Sequence, residues 1–120
     1  MQLTLIALLL IKHCIADYFM QYPWMLRDKA VYCAPGGIAH SGLHGILTTV
    51  VLMPFIGFGA LAYGLFDFFV HYHVDYIKSN WNVRTQASPS ETRYWYAFGL
   101  DQLAHMMTYV VIVALITNNA

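Results

Sequence analysis

The stretch Asp67-Phe68-Phe69-Val70-His71-Tyr72-His73-Val74-Asp75-Tyr76-Ile77-Lys78 follows a long apolar run and reads as the closing turns of a helix. Residues four apart on a helix sit nearly one above the other. Asp67, His71 and Asp75 therefore share one face, with Lys78 close to it. Ionisable groups on one stripe of so apolar a helix need partners. The rest of the chain offers three more pairs at the same spacing: His13/Asp17, His40/His44 and Asp101/His105. The 120 residues include 6 His and 6 Asp or Glu. Chance would place about one i,i+4 pair from that set in a chain of this length. Five are present, counting 67/71 and 71/75, and every apolar segment carries at least one.

The length fits one domain, residues 1–120, and the composition points to lipid around it. Hydrophobic residues are 59% and charged residues 10%, against roughly 25% charged in ordinary soluble domains. Net charge is zero and no basic stripe is present, so nucleic acid is not an expected partner; membrane lipid is. Cys14 and Cys33 fall outside any C-x-x-C pattern, and nothing in the spacing argues for a disulfide between them. The first residues lack the Lys or Arg of a signal-peptide n-region, and Lys12-His13 interrupts the apolar run, so the segment is expected to be retained.

Four helices are expected, over about 2–22, 38–55, 59–79 and 92–117, as an all-α integral membrane four-helix bundle. Pro23 closes the first of them. Residues 23–37 and 80–91 are the polar loops, with Ser90 a candidate N-cap. Residues 45–66 are apolar throughout and long enough for a single span, which would put His44 and His71 on opposite sides of the membrane. Pro54, Gly57 and Gly59 argue instead for a hairpin, since His44 and His71 are equidistant from residues 57–58. Folding there, near Asp28 and near Ser88 brings all four pairs to one depth. Tyr94-Trp95-Tyr96 would lie in the interfacial aromatic belt. Arg27, Lys29, Lys78, Arg84 and Arg93 flank the two polar loops, which places those loops in the cytoplasm of a bacterial inner membrane or a phage-encoded equivalent.

Membrane-embedded charges cost roughly 2.5–3.5 kcal/mol each on insertion scales, and a bound ion offsets such costs. The expected metal ligands are His13, Asp17, His40, His44, His71, Asp75, Asp101 and His105. Imidazole with carboxylate suits a divalent transition metal (Zn, Mn, Fe, Co or Ni), and the number of donors is enough for two ions. Asp67 has three open roles: ligand, general base or partner of Lys12. His73 points away from His71, so it is either interfacial or, with Asp67, a proton acceptor. Lys12 and Lys78 would stabilise developing negative charge, although Lys78 at a helix end also suits simple snorkelling. Gln21, Gln102, Thr48 and Thr108 extend the same faces as hydrogen-bond donors.

The combination His13-x-x-x-Asp17-Tyr18-Phe19-x-Gln21, Lys29, His40-x-x-x-His44, His71-x-x-x-Asp75-x-x-Lys78 and Asp101-Gln102-x-x-His105 resembles a family of small bacterial and phage membrane proteins catalogued as a domain of unknown function. The resemblance covers nearly the whole chain and implies no reaction. More loosely, the chain is similar to small membrane proteins described as metal-dependent hydrolases. Ser41-Gly42 inside the second pair departs from that pattern and suggests close helix packing. The expected function is a metal-dependent hydrolase acting on a lipid-linked ester, phosphoester or amide. The alternatives are a metal-ion or proton transporter, and a phage-type interaction or pore protein with a structural polar core.

Overall fold

Helix α1 (Gln2–Cys14) runs without a break into one π turn, Ile15–Phe19, where Met20 N–H donates to Ile15 O. The computed structural model describes residues 1–119, and these are helical without strands. Tyr22 is extended, as a residue before proline should be, and Pro23–Leu26 form the short α2. Three long helices follow: α3 (Pro35–Ile56), α4 (Ala60–Thr85) and α5 (Thr92–Asn118). Pro35 begins α3, where its missing N–H costs nothing. The Asp28 carboxylate accepts the free N–H groups of Gly36 and Gly37, both at 3.2 Å.

Three stretches are long and apolar enough to cross a membrane: Gln2–Phe19, Pro35–Thr85 and Thr92–Asn118. The middle one spans 51 residues, but it folds back on itself at Gly57–Gly59. Gly57 takes φ 58°, a left-handed conformation that glycine adopts without strain. The return brings α4 tightly against α3. A Cβ on Gly45 would lie 2.7 Å from Gly64 O and 2.9 Å from Phe68 Cβ, so the crossing depends on glycine. Helix α5 packs on α4 and α1, and α1 packs on α3, which closes a ring of four long helices. The longest dimension is 45 Å, close to the full thickness of a bilayer with its headgroups.

Several boundaries differ from expectation: the first helix ends at Phe19 rather than 22, the expected loop 23–37 contains α2, and α3 begins at Pro35 rather than 38. Helix α4 continues past Ser79 to Thr85, so residues 80–85 are helix, and Gln86 closes it in the αL conformation. Asn80 is tied into this last part by donating to Ala30 O and Tyr76 O. The N-cap of α5 is Glu91, with Ser90 paired instead to Ser88. The Glu91 carboxylate accepts the Ser88 N–H at 2.7 Å, which holds its pKa below the ordinary glutamate value.

The interior divides along the bundle. Toward the Gly57 turn and the two termini it is apolar, built from Leu5, Leu9, Leu52, Ala60, Tyr109, Ile112, Val113 and Ile116. Toward the two polar loops it is ionisable, with Lys12, His13, His40, His44, Asp67, His71, Asp101 and His105 all buried. Many large apolar side chains face outward, among them Leu3, Phe58, Leu65, Phe69 and Ile77.

Candidate metal centre

Each long helix presents one or two of its i,i+4 residues to the axis of the bundle. Helix α1 with its π turn supplies His13 and Asp17, α3 supplies His40 and His44, α4 supplies His71 and Asp75, and α5 supplies Asp101 and His105. The four expected pairs therefore meet in one connected cluster. Asp17, His40, His44 and His71 each bring one ligand atom within 4.8 Å of the others, and so do His71, Asp75 and His105.

The first group is the tighter. Asp17 Oδ1 is 2.9 Å from His44 Nε2, 3.1 Å from His40 Nε2 and 3.9 Å from His71 Nε2, and the two nitrogens of His40 and His71 are 3.2 Å apart. Tetrahedral ligands about 2.05 Å from an ion stand about 3.3 Å from one another. The observed separations bracket that value. The Nε2 atoms of His40 and His71 cannot both carry hydrogens at 3.2 Å, because two N–H groups would then face each other. At least one of the rings must therefore present a lone pair to the centre. The Nδ1 atoms of His40 and His71 are buried without a protein partner.

In the second group, His105 Nε2 lies 3.1 Å from Asp75 Oδ1 and 3.6 Å from Asp101 Oδ1. Asp75 Oδ2 is 3.5 Å from His71 Nε2 and 3.7 Å from His40 Nε2. The same His71 nitrogen thus belongs to both groups, and one lone pair holds one ion. His13 and Asp101 stand at the margin. His13 Nε2 is 3.2 Å from both Asp17 Oδ2 and Gln102 Oε1, while Asp101 Oδ1 is buried without a hydrogen-bond partner.

The four residues expected to do proton and charge chemistry divide differently. Of the three roles open to Asp67, the structure shows the pairing with Lys12: Lys12 Nζ is 2.6 Å from Asp67 Oδ2, which also accepts the Thr48 hydroxyl at 2.5 Å. Lys12 further donates to His44 O at 3.2 Å and sits 3.3 Å from His44 Nδ1. This pair braces the back of the His44 ring. His73 lies outside the cluster, on the outer face of α4, where its nitrogens contact Tyr32 Oη and Phe69 O. A two-residue step on a helix turns the side chain by about 200°, which separates it from His71. Lys78 packs over the Phe98 ring at 5.6 Å.

Two participants were not among the expected site residues. Lys29, from the first loop, donates to Asp75 Oδ2 at 2.6 Å and to Gln21 Oε1. Tyr109 Oη is 3.0 Å from His13 Nδ1. Tyr109 could have been found by extending the Asp101/His105 ladder one more turn; Lys29 has no periodic signal, since a loop carries it. Gln102 and Thr48 do touch the cluster, whereas Gln21 reaches it through Lys29 and Thr108 donates to its own helix at Ala104 O.

A cavity of about 350 Å³ opens beside the centre toward the polar loops. Asp17, Asp75 and Asp101 form its inner wall, and Arg27, Lys29 and Lys78 its cationic side.

Residues 5–120 match the family model described as protein of unknown function (DUF3307). The chain belongs to that family. No curated protein and no solved structure matches it. The family match includes every residue of the DUF3307 chain's His/Asp centre.

Proposed function

We propose that this DUF3307 protein is an integral membrane metalloprotein, and that it hydrolyses an ester, phosphoester or amide of a membrane-anchored substrate. The observation that carries the reading is the convergence of Asp17 Oδ1 with three imidazole nitrogens at 2.9–3.9 Å, the spacing of a coordination shell. The ion is a divalent metal of the Zn, Mn, Fe, Co or Ni class. Asp17, His40, His44 and His71 would hold one ion, because the second group would have to share His71. Membrane insertion is supported by the outward apolar side chains around a buried ionisable interior. The positive residues Arg27, Lys29, Lys78, Arg84 and Arg93 near the two polar connections favour a cytoplasmic position for that end.

A bound ion acidifies a water molecule and polarises the scissile carbonyl or phosphoryl oxygen. The chain supplies the rest. Asp101, whose Oδ1 is buried without a hydrogen-bond partner, would take the proton of the attacking water and pass it to the leaving group, while His105, held between Asp75 and Asp101, positions that carboxylate. Lys29 neutralises the Asp75 side and Lys78 faces negative charge in the cavity. Lys12 and Asp67 hold His44 in place and take no part in proton transfer.

A transporter would need polar groups along the whole bundle. The half toward the Gly57 turn is instead filled by Leu5, Leu9, Leu52, Ile112, Val113 and Ile116, which favours the enzyme. A structural polar core in an interaction or pore protein accounts less well for four matched pairs meeting at one point. Elemental analysis of detergent-purified protein tests the proposal: about one transition-metal ion per chain is expected, lost in His40→Ala and His71→Ala. A wild-type protein purified without metal chelators that carries none, and takes none up, removes it.

A further inference from the structure

Of the six Lys and Arg residues, Lys12, Lys29 and Arg93 are in ion pairs with Asp67, Asp75 and Glu91. Among the described residues Arg27, Lys78 and Arg84 have no ion-pair partner. Two of those three, Arg27 and Lys78, line the cavity that borders Asp75 and Asp101. Unpaired cations at the mouth of a site with a carboxylate inner wall call for an anion between the two. A second feature adjoins it: an apolar groove of about 360 Å³ on the outer surface between α4 and α5, lined by Val74, Ile77, Trp81, Leu100 and Ala104. Lys78 and Asp101 border both spaces, so the polar cavity and the apolar groove adjoin at the seam between α4 and α5.

A polar cavity adjoining an apolar surface groove fits an amphiphile. We infer that the cavity and groove together seat a phosphate-headed membrane lipid, with the phosphate between Arg27 and Lys78 and one hydrocarbon tail along α4 and α5. This deepens the hydrolase reading and rests on it for the reaction; Arg27 and Lys78 hold the phosphate, and a cation at the centre would further offset the Asp75 and Asp101 carboxylates beside it. Arginine suits phosphate through its planar fork of donors, and Lys78 adds a point charge. The groove opens sideways, so a lipid enters from the bilayer without leaving it.

Trp81 lines the groove and reports on it directly. In a Trp24→Phe/Trp95→Phe background it is the single tryptophan left. A ten-carbon alkyl phosphate brominated along its tail should quench Trp81 in the metal-loaded protein in detergent. The same tail carrying an alcohol or a trimethylammonium head should need about tenfold more for equal quenching, which is about 1.4 kcal/mol. Arg27→Gln and Lys78→Gln together should erase that preference, and Ala104→Phe should weaken quenching by filling the groove. Equal quenching by all three heads, or a preference untouched by Arg27→Gln/Lys78→Gln, would overturn the assignment. Displacement by an equal concentration of inorganic phosphate would overturn the lipid in favour of a free anion. Metal content measured on the same samples separates the two proposals. Full metal without head-group preference sinks only the lipid seat, whereas preference without metal supports the seat and sinks the centre.

Discussion

The imidazole rings of His44 and His71 stack with centroids 3.6 Å apart and planes inclined by 23°. They come from α3 and α4, and the only covalent path between them passes through the Gly57 turn. His105 from α5 stacks on the other side of His71 at 4.0 Å, and His13 from α1 lies 5.3 Å from His44. Four helices thus meet through imidazoles, at the level where Asp17 and Asp75 enter. Neutral rings tolerate such stacking, and like charges on all of them would not.

Metal loss should follow the two groups. Asp17→Asn, His40→Ala and His44→Ala are expected to lower metal affinity at least about tenfold, in the range that removal of ligand-supporting groups already produces. Asp101→Asn and His105→Ala should keep about one ion per chain while turnover falls by about 10²-fold or more, as for loss of an acid–base group. Elemental analysis paired with an ester or phosphoester turnover assay reads both. Two ions in wild type, one of them lost in His105→Ala, would replace the single-ion arrangement.

The Lys12–Asp67 pair gives a clean double-mutant cycle. Both side chains are nearly sealed, with 4% and 2% exposure. Lys12→Met or Asp67→Leu alone leaves one buried charge unpaired and should cost about 3–5 kcal/mol. The double variant should recover most of that, because two apolar groups replace a matched pair. Thermal unfolding in detergent measures it; additive losses would show that the two residues act separately.

Two glycines on one helix should respond in opposite senses. Gly45→Ala forces a methyl against Gly64 O and Phe68 and should destabilise by about 1–3 kcal/mol. A Cβ at Gly42 meets nothing within 4 Å, so Gly42→Ala should be neutral or stabilise by up to about 1 kcal/mol through helix propensity. Denaturation midpoints of the two variants decide it.

Lys29 tests how the loop reaches the centre. Lys29→Met removes the 2.6 Å bond to Asp75 and leaves Gln21 without that donor. Turnover should drop by about tenfold or more with metal content held, since Asp75 is then misplaced rather than lost. A Lys29→Arg variant that restores turnover would show that charge alone is required.

Orientation can be read from Cys33, an exposed free thiol in the first polar loop. In a Cys14→Ala background, a membrane-impermeant maleimide should label Cys33 in inside-out vesicles and leave it unlabelled in intact spheroplasts. The reverse result would invert the topology.

The four-residue ladders were legible in the chain alone, because i,i+4 spacing on a helix is a local property that needs no knowledge of the partner. So were the all-helical class and the turn at Gly57, where glycine and proline act within a few residues. The length of α4 beyond Ser79 was not, since polar residues such as Asn80 stay helical only through contacts made to the distant Ala30. The role of Asp67 depended on Lys12, 55 residues away, and that of Asp75 on Lys29, 46 residues away. The π turn that carries Asp17 also leaves no trace in residue spacing. Periodicity tells which side chains share a face of one helix; only the packing of helix on helix, set by close approaches such as Gly45 on Gly64, decides which atoms of different faces come within bonding distance.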